Sequence, residues 1–318
     1  MGDVLYNFLV APFLAMASDW PNFFLEAVIS GLLTGVMYSL VALGFVLIFK
    51  ASGVFNFAQG VLALFAGLFL TGFMDNWGIP GWLAIPMTIA VMIATAWLIE
   101  FFVLRHLINQ EPIILFMATL GLAYVLEGTG DLIWGSDVKV LDVGIPSGAW
   151  DWALDTFNIY VEKIELTAAV VAALLVLVLA YFFQYTRIGR ALRAVADDHQ
   201  AALSVGISLR TIWVIVWSVA GIVALVAGIM WGTKSGIQFS LSLIALKALP
   251  VLILGGFTSI PGAIIGGLII GVGEKIAEIY WGPVTGGAIE NWFAYMLALG
   301  FLLFRPQGLF GEKIIERI

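Results

Sequence analysis

The 318-residue chain contains no cysteine, only two histidines (His106 and His199), and few charges, at 11% of positions. Without cysteine there is no disulfide framework, no thiol nucleophile and no Cys-ligated zinc. Two histidines leave little for a His-rich metal site. A soluble domain carries about 25% charged residues and about 45–50% apolar ones. This chain is 62% hydrophobic with a mean hydropathy of +1.07, so it is neither an ordinary soluble globule nor a disordered segment, which needs low hydrophobicity and high charge. The net charge of -7 argues against a nucleic-acid partner. There is also no G-x-x-x-x-G-K-[ST] run, so the chain has no phosphate-cradling loop of its own.

What is present is a succession of long apolar runs. A bilayer core takes roughly 20 apolar residues per helix. Nine segments qualify: 23–49, 57–76, 79–104, 112–134, 163–184, 211–233, 241–256, 260–280 and 288–304. The runs are continuous and lack the period-2 alternation of a membrane β-barrel. The fold class expected is therefore an all-α polytopic bundle of eight or nine segments in a single transmembrane domain, 1–318. Segments 57–76 and 241–256 are short and follow polar or Gly-bearing stretches. They read as full spans or as re-entrant or broken helices, which are tolerated only where the backbone lines protein or a cavity. The first 20 residues are apolar but carry Asp3 and no basic residue, whereas a signal peptide has a basic head. Residues 1–22 are read as holding a short helix at the membrane surface.

Orientation follows Lys and Arg in short loops. One alternation gathers Lys50, Arg105, Arg187, Arg190, Arg193, Arg210, Arg305, Lys313 and Arg317 on one side, 9 of the 14 basic residues. That side is the expected cytoplasmic face, with the tail 305–318, and the N-terminus lies outside. The opposite side receives Asp3, Asp19, Asp75 and the acidic loop 135–162. Trp20, Trp77, Trp82, Trp134, Trp150, Trp152, Trp231 and Trp281 fall near outer ends, as in an aromatic belt.

The inner loop 185–210 is helical in pattern. Ala191, Leu192, Ala194, Val195, Ala201, Ala202 and Leu203 are apolar at near-helical spacing, Gly206 ends the run as a C-cap, and Arg193 and Asp197 stand four apart. Two readings stand: an interfacial helix held by headgroups, or a docking knob for a cytoplasmic partner. At the head of segment 57–76, Asn56 and Gln59 are amides that must face protein or a cavity. They form either an interhelical clamp or part of a solute path. Thr119, Glu127 and Lys247 are the other path candidates. Glu127 and Asp131 share a face near the outer end of 112–134. Lys247 can pair with Glu274 or Glu278, although for Glu274, Lys275 and Glu278 snorkelling into headgroups is the favoured reading. In the run 254–271, Gly262/Gly266 and Gly267/Gly271 are small-x-x-x-small pairs suited to close packing. Gly255, Gly256, Pro261 and Gly262 mark a break between two half-segments.

Five blocks then carry a resemblance: Gly35-Val-Met-Tyr-Ser-Leu-Val-Ala-Leu-Gly-Phe45; Val54-Phe-Asn-Phe-Ala-Gln-Gly60; Arg190-Ala-Leu-Arg-Ala-Val-Ala-Asp-Asp198 with Val205-Gly-Ile207; Leu254 to Gly267; and Phe304-Arg-Pro-Gln-Gly-Leu-Phe-Gly311. In this order they resemble the permease subunits of branched-chain amino acid ABC importers, a group that includes urea and short-amide permeases. The resemblance implies a heterodimer of two related permeases, two cytoplasmic ATP-binding subunits and a periplasmic solute-binding protein, in a bacterial inner membrane. It assigns Arg187, Arg190, Arg193, Asp197, Asp198 and Gly206 to ATPase coupling. It implies import of a small polar solute, an aliphatic amino acid first and urea or a short amide as the alternative. It implies no catalytic residue, metal or cofactor in this chain. Many relatives read Asn-Phe-Ala-His-Gly-Glu where this chain has Gln59 and Val61, so no proton-linked role carries over to those positions. A secondary transporter would show coupling-ion ligands at mid-membrane, where only Lys247 stands. An intramembrane enzyme would need a nucleophile–base or metal set, which no motif supplies.

Overall fold

The computed structural model describes residues 6, 8–108, 110–197 and 199–311. Its α-helices are α1 (Ala11–Ser18), α2 (Asn22–Ser52), α3 (Gln59–Thr71), α4 (Gly81–Phe102), α5 (Pro112–Trp134), α6 (Asp151–Phe157), α7 (Lys163–Tyr185), α8 (Arg187–Asp197), α9 (His199–Ser204), α10 (Leu209–Ser235), α11 (Ile244–Gly255), α12 (Ile260–Thr285) and α13 (Glu290–Phe304). The described residues include no strand beyond two isolated bridges, and the protein is an all-α polytopic membrane protein.

All nine apolar segments are helical. Six helical stretches are long and apolar enough to cross a bilayer: Phe23–Ser52, Gly81–His106, Pro112–Trp134, Lys163–Tyr185, Leu209–Ser235 and Ile260–Thr285. The other three are shorter. At about 1.5 Å per residue, α3 and α11 rise only about 20 Å against a hydrocarbon core of about 30 Å. A π-helical turn, Gly72–Asn76, extends α3, and a 3-10 turn, Phe239–Leu243, precedes α11.

The helix ends follow local chemistry. Pro112 and Pro261 sit in the first turns of α5 and α12, where their missing N–H costs nothing. Ser259 caps α12 by accepting a hydrogen bond from the Gly262 amide at 3.1 Å. The chain break therefore lies at residues 256–259. Pro261 and Gly262, expected at the break itself, instead begin the second helix. Hydroxyls inside spans bond back to carbonyls one turn earlier, as Ser39 does to Gly35 and Thr88 to Ala84, so they add no unsatisfied group in an apolar surround.

The chain divides into two compact units. One comprises residues 1–39, 145–170 and 247–318; the other comprises 40–144 and 171–246. In the first, the glycine pattern decides the packing. Gly267 and Gly271 of α12 meet Gly35 and Gly31 of α2 backbone to backbone, and a Cβ at Gly31 would lie 2.7 Å from the Val272 Cα. On its other face α12 offers Gly262 and Gly266 to α11, where Gly255 and the Val251 carbonyl close in. The two G-x-x-x-G pairs thus serve two different neighbours. α12 also packs on α13 and α1. Short α6 seats Ala153 beside Leu33 and Val161. In the second unit α10 packs on α4 and α3, and α3 packs on α5.

Candidate functional site

Three groups of polar residues stand out, two in the second unit and one in the first. The first group surrounds the loop before α3. Asn56 and Gln59 are completely buried, and Thr119 nearly so. The Asn56 Oδ1 accepts from the Ala58 amide at 3.1 Å, shaping the turn, and its Nδ2 donates to Gln59 Oε1 at 3.5 Å. Gln59 Nε2 donates to the Ala220 carbonyl of α10 at 3.4 Å. Thr119 of α5 accepts from the Phe57 amide at 3.1 Å and stands 2.8 Å from the Phe116 carbonyl, to which its hydroxyl donates. Gly44 of α2 leaves the room that the Gln59 amide occupies. One chain of hydrogen bonds therefore ties α3, α5 and α10 around an irregular backbone. A narrow cleft adjoins it, lined by Ser52, Val54, Leu115, Thr119, Trp213 and Trp217 among others. The Trp213 indole N–H is buried with no hydrogen-bond acceptor. Glu127 is half-buried on α5 and takes no part in these hydrogen bonds.

The second group is the arm 185–210. α8 is amphipathic: Leu192 and Val195 are buried, while Arg187 and Arg190 are exposed. Gly189 lets α8 fold back against the last turn of α7. Arg190 and Arg193 donate to the Tyr185 and Gln184 carbonyls at 3.4 and 3.5 Å. Cations there complement the negative end of α7 and satisfy carbonyls that the helix leaves open. Gly206 holds φ +88°, a left-handed conformation that lets α9 end, and its amide bonds to the Leu203 carbonyl at 3.0 Å. The residue before it, Val205, is 74% exposed. Asp198 and the Asp197 side chain, and with them the expected Arg193–Asp197 pair, lie outside the described residues. A second narrow cleft is lined by Leu47, Lys50, Ala51, Phe183, Leu192 and Arg193.

The third group is in the first unit. Lys247 of α11 meets Glu274 of α12 at 2.9 Å, and the Tyr38 hydroxyl of α2 donates to the same carboxylate oxygen at 3.0 Å. Glu274 is 4% exposed, so the snorkelling expected of it is wrong. The α2–α12 glycine contact draws the two helices close enough to bury a carboxylate between them, and a buried carboxylate needs its cation. Glu278, the other suggested partner of Lys247, accepts from the Ala288 and Glu290 amides at 3.2 and 3.0 Å and so closes the turn before α13. Lys275 is exposed.

Sequence reasoning missed Tyr38, Glu290, Trp213 and the buried ion pair Glu100–Arg105 (2.9 Å) at the end of α4. For that pair a signal existed: a lone Glu inside an apolar run, five residues before an Arg.

Short and discontinuous helices, buried amides at a helix start, an ion pair between two apolar helices and an amphipathic arm between two spans mark a polytopic membrane protein with polar groups held inside it. The chain belongs to the family described as branched-chain amino acid transport system / permease component, whose model matches residues 27–305. It is 28% identical over 313 residues to the high-affinity branched-chain amino acid transport system permease protein LivH of Salmonella typhimurium, covering 93% of this chain and 98% of that one. It is 27% identical over 306 residues to the corresponding protein BraD of Pseudomonas aeruginosa, with the same coverage. A probable branched-chain amino acid transport permease of Methanocaldococcus jannaschii is 28% identical over 281 residues, covering 86% of this chain and 88% of the relative. Among solved structures, PsaBC from Streptococcus pneumoniae in complex with Fab superposes at TM-score 0.47 and 14% identity, covering 93% of this chain and 95% of that one, too loosely to carry an argument. The protein is a permease, a transport subunit and not an enzyme. As one component of a transport system, it works with ATPase and solute-binding partners.

Proposed function

We propose that this chain is the membrane-spanning subunit of an ATP-driven importer that moves branched-chain amino acids into the cell. The observation that carries the reading is the family match across residues 27–305. The relatives above are named for branched-chain amino acid transport, which favours that solute class over urea or short amides.

In this reading the chain is a single transmembrane domain with its N-terminus outside and its C-terminus inside. Residues 1–22 lie on the membrane surface. The solute-binding protein lands on the outer loop 135–162, and an ATP-binding subunit grips the arm 185–210. A second, related permease completes the pathway. Arg187, Arg190, Arg193, Asp197, Asp198 and Gly206 transmit the ATPase stroke. The helix-capping bonds of Arg190 and Arg193 support this role, because they make α8 continuous with the end of α7. A push on the arm is then a push on a span. Asn56, Gln59, Thr119, Glu127 and Lys247 contribute to the path, and the break at 256–259 separates α11 from α12.

The reading is tested in a leucine auxotroph lacking its own branched-chain transport, given this chain with its cognate partners. Growth on low leucine that depends on every subunit, and that urea does not inhibit, is expected. Growth that needs none of the partners refutes the reading.

A further inference from the structure

Short α6 is pinned in the first unit at several points. The Trp150 amide donates to the Val161 carbonyl at 2.8 Å and the Lys163 amide to the Gly148 carbonyl at 2.9 Å, so the two arms of the loop are stitched together where α7 begins. Lys163 also meets the Asp151 carboxylate at 3.0 Å. Asn158, left-handed at φ 54°, stops α6, and its amide donates to the Leu154 carbonyl at 3.0 Å. Ala153 is the buried residue of the helix, seated against Leu33 of α2 and Val161. The aromatic rings beside it are left uncovered. Trp152 and Phe157 are 56% and 52% exposed, and their rings meet edge to face at 5.3 Å. Trp150 extends the patch, its ring 5.1 Å from that of Trp152. Asp151 and Asp155, four apart, share the side of the helix opposite Ala153 and are exposed.

Two helices measure how deep this patch lies. From Leu33 to Ser52, α2 rises about 29 Å, and from Lys163 to Tyr185, α7 rises about 33 Å, against a hydrocarbon core about 30 Å thick. Both helices end beside a basic residue, Lys50 and Arg187, which suits the headgroups at the far edge. Leu33 and Lys163, between which α6 is fixed, therefore stand at the near edge of the core. Large aromatic rings collect at this level, with an apolar body toward the chains and a polar tip toward water. A patch of three such rings there meets lipid before it meets a water-soluble protein. Because Lys163 is taken by Asp151, the patch holds lipid by its rings and not by an ammonium–phosphate contact. We infer that α6 is an interfacial anchor, with Trp150, Trp152 and Phe157 set among uncharged phospholipid headgroups and Asp151 and Asp155 turned to water. The anchor fixes the height of residues 145–162 on the membrane and leaves the acidic side of α6 as the part that a soluble partner reaches. It depends on the spans alone and not on which solute is carried.

The chain has no cysteine, so Trp152→Cys, Phe157→Cys and Asp155→Cys each place a single nitroxide label. Every variant is assembled with cysteine-free partner subunits in phosphatidylcholine nanodiscs. Power saturation then measures collisions of the label with oxygen, which partitions into lipid, and with a nickel chelate, which stays in water. Labels at 152 and 157 are expected to lose nickel access relative to 155 and to favour oxygen, while 155 favours nickel. Adding the solute-binding protein should leave the spectra at 152 and 157 unchanged. Nickel access at 152 and 157 equal to that at 155 overturns the inference. Immobilisation of those two labels by the binding protein also overturns it, and makes the patch a protein-docking surface instead. Should Trp152→Cys fail to assemble, the contrast between 157 and 155 still decides.

Discussion

Gly44→Ala offers the sharpest test of how the buried amides hold the second unit. A Cβ built on Gly44 falls inside the Gln59 amide, overlapping Nε2 and Cδ and lying 3.0 Å from Oε1. Gln59 is completely buried and bonded to Asn56 and Ala220, so it has no free volume to retreat into. Overpacking of this kind costs about 1–3 kcal/mol. Against it stands the gain in helix propensity from Gly to Ala, about 1 kcal/mol. The single variant should therefore be destabilised by about 1 kcal/mol. With Gln59→Ala the obstruction is gone and only the propensity gain remains, so the same substitution should become stabilising by up to about 1 kcal/mol. The two sites are thus coupled by about 2 kcal/mol, well above the scatter of about 0.5 kcal/mol for independent sites. A double-mutant cycle on reversible unfolding in mixed micelles measures it. Additive effects of the two substitutions would refute the argument that Gly44 exists to seat Gln59.

Other outcomes follow from the same geometry. Arg105→Met leaves the buried Glu100 carboxylate without its cation (2.9 Å) and should cost about 3–5 kcal/mol, whereas Glu100→Leu with Arg105→Met should cost much less; both are read by the same unfolding assay. Ending the chain after Phe304 removes the bonds from the Leu309 and Phe310 amides to the Leu254 and Gly255 carbonyls at 2.8 and 3.1 Å, so the complex should melt earlier and be recovered in lower yield by affinity capture. Lys163 holds the Asp151 carboxyl below its ordinary 3.8 by hydrogen bond and charge. A depressed carboxyl stabilises above its unfolded value and loses that contribution as pH falls through the folded one. Asp151→Asn should therefore leave the pH dependence of melting unchanged above about pH 5 and alter it only in the acid range, with salt shrinking the effect because the pair is exposed. Arg190→Glu with Arg193→Glu should separate ATP hydrolysis from transport, while Arg190→Lys with Arg193→Lys, which keeps the helix-end charge, should preserve coupling; equal coupling in both would remove the arm from the mechanism.

Much of this fold is legible from the sequence because membrane helices announce themselves by length and composition. The nine apolar segments, the amphipathic arm and the left-handed Gly206 all follow from local pattern. The exact place of the break does not: Pro261 looks like an interruption, but its chemistry suits a first helical turn, and Ser259 and Gly256 decide the matter. The pairing of Glu274 with Lys247 is one of the readings the sequence offers, but the burial of its carboxylate is not legible there. Its spacing from Glu278 is that of a helix end meeting water, and only the backbone contact of Gly31 and Gly35 with Gly271 and Gly267 shows that the carboxylate is buried against Tyr38 and Lys247. Likewise the partners of Asn56 and Gln59, with Gly44 and the Ala220 carbonyl beside them, are not legible in the sequence, because a buried amide is defined by neighbours far away in the chain.

The central claim is that this permease passes branched-chain amino acids inward at the expense of ATP hydrolysed by a partner. The direct measurement is accumulation of labelled leucine in proteoliposomes holding the complete complex, with ATP enclosed and the binding protein outside, the arrangement the proposed orientation requires. Uptake that requires both, that unlabelled isoleucine and valine compete, and that urea leaves untouched is the expected result. Uptake without ATP, or ATP-driven uptake of urea in place of leucine, would contradict it.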